Sequence, residues 1–129
     1  MPMKPEVLIL APLGRDAQIA ASILATSQIC TRICASLEET VPLLAEAQCL
    51  VVAEEALISS DRATFASWLD NQPAWSDFPI VLLVMRGTEF DKRLAFLDRY
   101  LIVLERPFLA SSLANSVRSA LRARARQLE

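Results

Sequence analysis

Five short apolar runs, each followed by a segment with helical periodicity, constrain the fold of this chain more than any other feature. The runs are continuous rather than alternating, which is typical of strands covered on both faces. They occupy residues 6–11, 29–35, 49–53, 80–85 and 100–104. Because loops of a few residues join strands to helices, the strands are predicted to run parallel with right-handed crossovers. We therefore predict a single α/β domain over 1–129 with a doubly wound, five-stranded parallel sheet and five helices.

Helical periodicity and capping residues locate the five predicted helices. They cover 15–27, a segment beginning at Ser36 or near Thr40, 60–72, a segment built on Phe90, Leu94 and Leu97 with Thr88 and Asp91 as its cap, and a last helix from Leu109 or Ser111. The second start is open because Ser36 and Glu39 form a capping box, whereas Pro42 fits best in a first turn. The last helix should turn Leu113, Val117, Ala120 and Leu121 inward.

The chain has no histidine and only two glycines, and both facts exclude classes of chemistry. Without imidazole it has no histidine base, no Ser-His-Asp or Cys-His site and no phospho-accepting histidine. Gly14 and Gly87 alone cannot build a glycine-rich phosphate loop. A net charge of −2 gives no global electrostatic reason to bind nucleic acid. We expect a domain that is not an enzyme and uses no cofactor or metal.

The sequence also lacks the marks of a secreted or membrane protein. Its apolar runs are far shorter than the roughly 18–20 residues that cross a bilayer, and its first residues do not resemble a signal peptide. Cys30, Cys34 and Cys49 contain no CxxC pair, so we interpret them as reduced, buried side chains. These features predict a cytoplasmic domain without membrane contact.

The residues after each strand are the candidate site, because ligands of doubly wound sheets bind beyond the carboxyl ends of the strands. The fifth run leads into Arg106-Pro107-Phe108. Five βα units of this size with such an ending resemble the receiver domains of two-component signalling, whose fifth strand ends in Lys-Pro-Phe, usually with a cis peptide before the proline. This resemblance implies a flavodoxin-like, response-regulator receiver-like fold with strand order 2-1-3-4-5.

Shorter segments are similar to the N-terminal receiver-like domain of a group of bacterial hybrid sensor histidine kinases. These segments are 10–17, 53–57, 72–79, 104–107 and 120–124. In that group the domain precedes sensory and kinase modules. The resemblance therefore implies a parent sensor kinase in which the last helix, 109–129, continues into a connector. It also implies partners among the kinase modules of the parent chain and in a second copy of the domain.

Carried over position by position, the resemblance implies a receiver that lacks the receiver's reactive groups. A receiver has an acidic pair after strand one, a phospho-accepting Asp after strand three, a Ser or Thr after strand four and a Lys after strand five. Here those positions hold Ala11 and Pro12, Ala53 (or Glu54 after a slip of one residue), Val84, and Arg106 before Pro107. Mg²⁺ binds hard oxygen ligands such as carboxylates, and Ala11 and Pro12 have no carboxylate at the positions of the acidic pair. We predict a pseudo-receiver, with a phosphorelay acceptor using Glu54 and a small-ligand sensor as alternatives.

Charged residues near the strand ends suggest what replaces the reactive centre. We hypothesise a salt-bridge lock among Arg15, Glu54, Glu55 and Arg106, with Glu54 held by Arg106 or Arg15. The alternative is a set of solvated charges worth no more than about 1 kcal/mol.

By resemblance, protein contacts are expected on the face formed by the helix before strand five, strand five itself and the last helix. The candidate interface residues there are Arg93, Phe96, Tyr100, Arg118 and Arg122. Arg118, Arg122 and Arg126 recur every four residues and so form one stripe. Whether that stripe is a solvated helix face or a partner surface stays open in the sequence.

Overall fold

A computed structural model describes residues 5–87 and 89–129, and it contains one five-stranded sheet. The strands are β1 (Val7–Leu10), β2 (Thr31–Ile33), β3 (Cys49–Ala53), β4 (Ile80–Met85) and β5 (Leu101–Arg106). Their order is β2-β1-β3-β4-β5, and each neighbouring pair is parallel. The predicted doubly wound sheet and its strand order are confirmed.

The connections between the strands contain more helices than the periodicity predicted. The α-helices are α1 (Asp16–Thr26), α2 (Leu37–Thr40), α3 (Glu54–Ile58), α4 (Ala63–Asp70) and α5 (Ala110–Gln127), and the 3-10 helices are Val41–Glu46 and Lys92–Tyr100. Within the described ranges, no helix combines the length and the apolar character needed to cross a membrane.

The start of α2 follows the predicted capping box at Ser36, and the helix changes type just before Pro42. Ser36 Oγ accepts a hydrogen bond from the Glu39 amide at 3.1 Å, and Glu39 Oε2 accepts one from the Ala35 amide at 3.0 Å. The α-helix ends at Thr40 and a 3-10 helix continues from Val41. Proline has no amide hydrogen to donate, which explains why the α-helical pattern does not pass through Pro42.

The helix before β5 differs from the prediction at its start. Asp91 accepts a hydrogen bond from the Arg93 amide at 2.9 Å and so caps a 3-10 helix that begins at Lys92. Leu94 and Leu97 are buried as predicted, but Phe90 precedes the helix and is 44% exposed. Phe90 is therefore not part of the inner face, because the cap lies after it. The predicted role of Thr88 in this cap lies outside the described residues.

Buried side chains form one cluster on each face of the sheet. Alternate residues of a strand point to opposite faces, so Leu50 and Val52 of β3 pack under α2, α3, α4 and the 3-10 helix Lys92–Tyr100. Val51 and Ala53 pack under α1 and α5. The inner face of α5 is as predicted, with Leu113, Val117 and Ala120 buried and Leu121 partly buried.

The edge strands are less buried than the continuous apolar runs suggested. β1 and β3 are buried throughout, but β5 alternates between half-buried and exposed, and Val103 is 52% exposed. An edge strand has a neighbour on one side only, so the helices on the two faces cover it incompletely. The expectation of two buried faces was thus wrong for β2 and β5.

Candidate functional site

The carboxyl ends of β1, β3, β4 and β5 meet at one edge of the sheet, and small or apolar side chains occupy three of them. Ala11 and Ala53 are 3% and 2% exposed, and Val84 is partly buried against the core. None of these side chains carries an oxygen atom. The site therefore has no carboxylate or hydroxyl at the first three positions where the receiver resemblance expects one.

Arg106, at the end of β5, is the centre of the polar contacts at this edge. Its side chain is only 12% exposed. Nη2 donates to Glu55 Oε2 at 2.7 Å, Nη1 donates to Glu55 Oε1, and Nη1 also lies 3.3 Å from Asp16 Oδ2. A bidentate pair of this kind is the strong form of the arginine–carboxylate contact. Arg106 thus joins the ends of β5, α3 and α1, and the peptide bond before Pro107 is cis.

The hypothesis of a carboxylate–guanidinium contact at this edge agrees with the geometry, although the carboxylate is Glu55 rather than Glu54. Helix α3, which the periodicity did not predict, begins at Glu54 directly after β3. Successive helical residues point about 100° apart, so the two glutamates leave the helix in different directions, and Glu55 is the one that hydrogen-bonds to Arg106. Arg15 is exposed, and no ion pair links it to any other described residue. Asp16, to which the sequence assigned no role, contributes the second carboxylate.

The two adjacent glutamates experience opposite electrostatic environments. The hydrogen bonds from Arg106 hold the pKa of Glu55 below its usual value. Partial burial, together with the negative charges of Glu55 and Asp91, raises the pKa of Glu54. The Glu54 carboxylate forms no hydrogen bond or ion pair with another described residue. Glu55 therefore favours folding when ionised, whereas ionised Glu54 opposes it.

We expect Glu55→Gln and Glu54→Gln to change stability in opposite directions at neutral pH. Glu55→Gln should lower the free energy of unfolding by about 1–2 kcal/mol, because Arg106 loses its charged partner. Glu54→Gln should raise it by a few tenths of a kcal/mol, about the value of one like-charge contact. Urea denaturation at several pH values measures both.

The pH dependence of these two differences follows from the direction of each pKa shift. The lowered pKa of Glu55 means that its contribution is present above the unfolded-state value of about 4.3 and is lost as pH falls through the folded value. The raised pKa of Glu54 means that its cost appears as pH rises through the same unfolded value and is complete above the folded one. Both differences should shrink at about pH 3. Effects of equal sign, or effects that persist in acid, would contradict this account.

The residues at this edge do not fit a magnesium site. Ala11 and Pro12 offer only backbone carbonyls, and the nearest acid of that segment, Asp16, is occupied by Arg106. Among the described residues no group of three or more His, Cys, Asp or Glu side chains could hold a metal ion. Hard cations in proteins need several oxygen ligands, which the side chains at this edge do not supply together.

The predicted interface residues lie on two different sides of the domain. Phe96 packs edge-on against Phe65 with ring centres 6.0 Å apart, and Tyr100 Oη donates to the Leu69 carbonyl at 3.4 Å. Arg118 instead donates to Ser27 Oγ of α1 at 2.8 Å. The remaining two are exposed: Arg93 in an ion pair with Asp91, and Arg122 beside Ser119. Participation of these residues in an interface stays a prediction.

A buried arginine at the opposite end of the sheet was not predicted. Arg124 of α5 is 8% exposed, and its guanidinium lies over the Phe78 ring, 5.5 Å from the ring centre. Its Nη1 donates to Ser76 Oγ at 2.7 Å and to Gln127 Oε1 at 2.9 Å. No position was predicted for the Arg124 side chain, although its spacing from Val117 and Ala120 could have indicated that it points inward.

The loop before β4 is packed by its aromatic residues. Trp68 and Phe78 meet edge-on, with ring centres 5.2 Å apart, whereas Trp75 is 56% exposed. Phe78 thus packs the loop against Trp68 of α4, and Trp75 takes no comparable part in this packing.

Comparison with solved structures shows what this fold is similar to. A response regulator receiver domain from Clostridium thermocellum matches 97% of this chain and 99% of its own, with a TM-score of 0.75 at 15% identity. The receiver domain of a putative LuxO repressor from Vibrio parahaemolyticus matches 98% and 97%, with a TM-score of 0.73 at 15% identity. The fold is thus that of the response regulator receiver domains of two-component signalling.

Larger proteins contain the same fold as one part. NtrX from Brucella abortus, solved in complex with ADP, matches 97% of this chain with a TM-score of 0.73 at 16% identity, and the match spans 28% of the NtrX chain. A scan with protein-family models found no match, and a search of curated proteins found none either. At these identities the likeness concerns the fold alone.

Proposed function

We propose that this domain is a pseudo-receiver, which keeps the receiver fold, takes up no phosphoryl group and regulates a sensor kinase through protein contacts. One observation carries the proposal: the cation at the end of β5 is held by Glu55 in a bidentate contact and approached by Asp16. Phosphoryl transfer to a carboxylate needs a cation and a metal to stabilise the charge on the transferring oxygens. Here carboxylates of the chain itself neutralise the cation.

The other positions support the same proposal. Ala53 ends β3 where the receiver resemblance expects the accepting Asp, and Ala11 follows β1 where it expects an acid. Arg106 couples β5 to α3 and α1 in one arrangement, which would hold the domain in a single conformation. Such a domain would act by presenting a constant surface, to the kinase modules of its parent chain or to a second copy of itself.

The alternative function, a phosphorelay acceptor, is favoured by one feature of Glu54. Its carboxylate is partly exposed, lies next to the accepting position and forms no hydrogen bond or ion pair with a described residue. Among the described residues no group of three or more acidic, histidine or cysteine side chains could replace the missing metal ligands, which makes this function the second candidate.

Treatment with acetyl phosphate and Mg²⁺, followed by intact-mass analysis, separates the two functions. We expect no mass increase for the unaltered protein, while a receiver domain with an intact acidic pair, treated in parallel, gains one phosphoryl group. Glu55→Gln, which removes the charged bidentate partner of Arg106, should also show no gain, because the acceptor and metal ligands are still absent. A gain of one phosphoryl group that Glu54→Gln abolishes would establish the acceptor function instead.

A further inference from the structure

The exposed side of α5 carries positive charge that the described chain does not neutralise. Arg118, Arg122 and Arg126 are exposed, and no carboxylate lies within ion-pair distance of them among the described residues. Helix α5 contains no Asp or Glu from Ala110 to Gln127. Four of the other exposed arginines have carboxylate partners, namely Arg32, Arg86, Arg93 and Arg99, whereas Arg15 has none among the described residues. The stripe is therefore a local excess of charge in a chain whose net charge is −2.

A groove between α1 and α5 meets this stripe at Arg118. Its volume is about 320 Å³, and Ile23 contributes the large apolar side chain of its lining while Ala110 and Ala114 supply small ones. Arg118 lines it too, held by Ser27 at the end of α1. Serine is a neutral acceptor, so this hydrogen bond positions the guanidinium without cancelling its charge.

No acid in the neighbouring helix compensates for the stripe either. The only acidic residue of α1 is Asp16, at its first position, and Asp16 contacts Arg106 at the carboxyl edge of the sheet. The surface thus combines a groove lined in part by Ile23, Ala110 and Ala114 with a row of guanidinium groups that begins at Arg118 in the groove and continues along α5 one turn apart. A helix laid into a groove is a common mode of peptide recognition, with anchors one turn apart.

We propose that the α1–α5 groove is a docking site for an acidic amphipathic helix of a protein partner. Carboxylates four residues apart on such a helix would match Arg118, Arg122 and Arg126, and its apolar side would cover Ile23 and Ala114. Nucleic acid fits this surface less well, because no aromatic side chain lines the groove and the chain is acidic overall. This proposal rests on the proposed function only in that the domain works through protein contacts.

The test uses the full chain and a fluorescein-labelled helical peptide, with glutamates four residues apart on one side and leucine and alanine on the other. Fluorescence anisotropy should show binding that weakens as salt is raised, because part of the attraction is Coulombic. The double substitution Arg118→Gln plus Arg122→Gln should weaken binding roughly tenfold, the effect expected from two lost charge contacts. Ser111→Phe, which places a ring at the exposed edge of the groove, should weaken binding without a change of charge.

A matched control removes the same charge elsewhere. Arg32→Gln plus Arg93→Gln should leave peptide affinity within about twofold, since both residues lie away from the groove and are paired already. Amide chemical shifts on peptide addition should change along α1 and α5. Equal affinity loss in the control, unchanged affinity in the stripe or groove variants, or shifts centred on Lys92–Tyr100 would overturn the proposal.

Two further outcomes distinguish other partners. Stronger binding to single-stranded RNA or to phosphatidylserine vesicles than to the peptide would overturn the assignment of a protein helix. Phosphoryl uptake would overturn the pseudo-receiver function while leaving the peptide result unaffected, so the two proposals fail separately.

Discussion

Replacement of Arg106 by methionine is expected to lower the free energy of unfolding by about 2 kcal/mol. The substitution keeps much of the side-chain volume but leaves the Glu55 and Asp16 carboxylates without the guanidinium that both contact. Removing one partner of a largely buried ion pair leaves the other charge without a counter-ion. The resulting destabilisation is larger than the net stabilisation that the intact pair provides. Urea denaturation followed by circular dichroism at neutral pH measures the change.

Arg93→Met is the matched control for this substitution. Arg93 forms an ion pair with Asp91 at 2.8 Å, but its side chain is 56% exposed, so water screens the contact. Arg93→Met should therefore leave the free energy of unfolding unchanged within experimental error. In the Glu55→Gln background, Arg106→Met should cost about half as much, because only the contact with Asp16 remains. Equal losses from Arg106→Met and Arg93→Met would show that the centre at the sheet edge contributes no more than a surface pair.

Phe78→Ala is expected to produce the larger loss of stability, about 3–5 kcal/mol. Phe78 is fully buried between the Trp68 ring and the Arg124 guanidinium. Its removal leaves a cavity under α4 and takes the aromatic face away from a buried cation. Because Arg124 belongs to the end of α5, amide hydrogen exchange should also rise in the last turns of that helix.

Trp75→Ala tests whether this loss comes from burial rather than from any aromatic residue of the same loop. Trp75 is 56% exposed, three residues before Phe78. We expect a change within about 0.5 kcal/mol and no change in exchange at the end of α5. If Trp75→Ala lowered the free energy of unfolding as much as Phe78→Ala does, the whole loop, and not the Phe78 contact, would be what stabilises the end of α5.

The sheet was predictable because its signal is local. Continuous apolar runs such as Cys49–Ala53 are typical of strands in a sheet that is covered on both faces. A helix follows each strand through a short loop, and this alternation favours parallel pairing of the strands. The strand bounds of β3 and β4 agree with the prediction to the residue. The exposure of the β5 side chains could not be predicted from the β5 sequence, because it depends on the position of that strand at the edge of the sheet.

The helical connections show the limit of periodicity. Helix α3, Glu54–Ile58, is too short to produce a periodic pattern, so it was not predicted. Without this helix in the prediction, Glu54 was expected to be the partner of Arg106 instead of Glu55. Similarly, four-residue spacing placed Arg118 and Arg122 in one stripe but could not say which neighbour the stripe faces. The contact of Arg118 with Ser27 shows that the exposed stripe lies next to the end of α1.

The sequence by itself determined which strands form and which residues stand at their ends. Ala11, Ala53, Val84 and Arg106 follow from strand identity alone, because parallel strands bring their carboxyl ends to one edge. Only the tertiary structure decided how the charges are paired. Glu55 and Asp16 meet Arg106 across 51 and 90 residues of chain, and such contacts depend on the rotation of α3 and α1 about their axes. That rotation is set by packing against the sheet, and no local pattern encodes it.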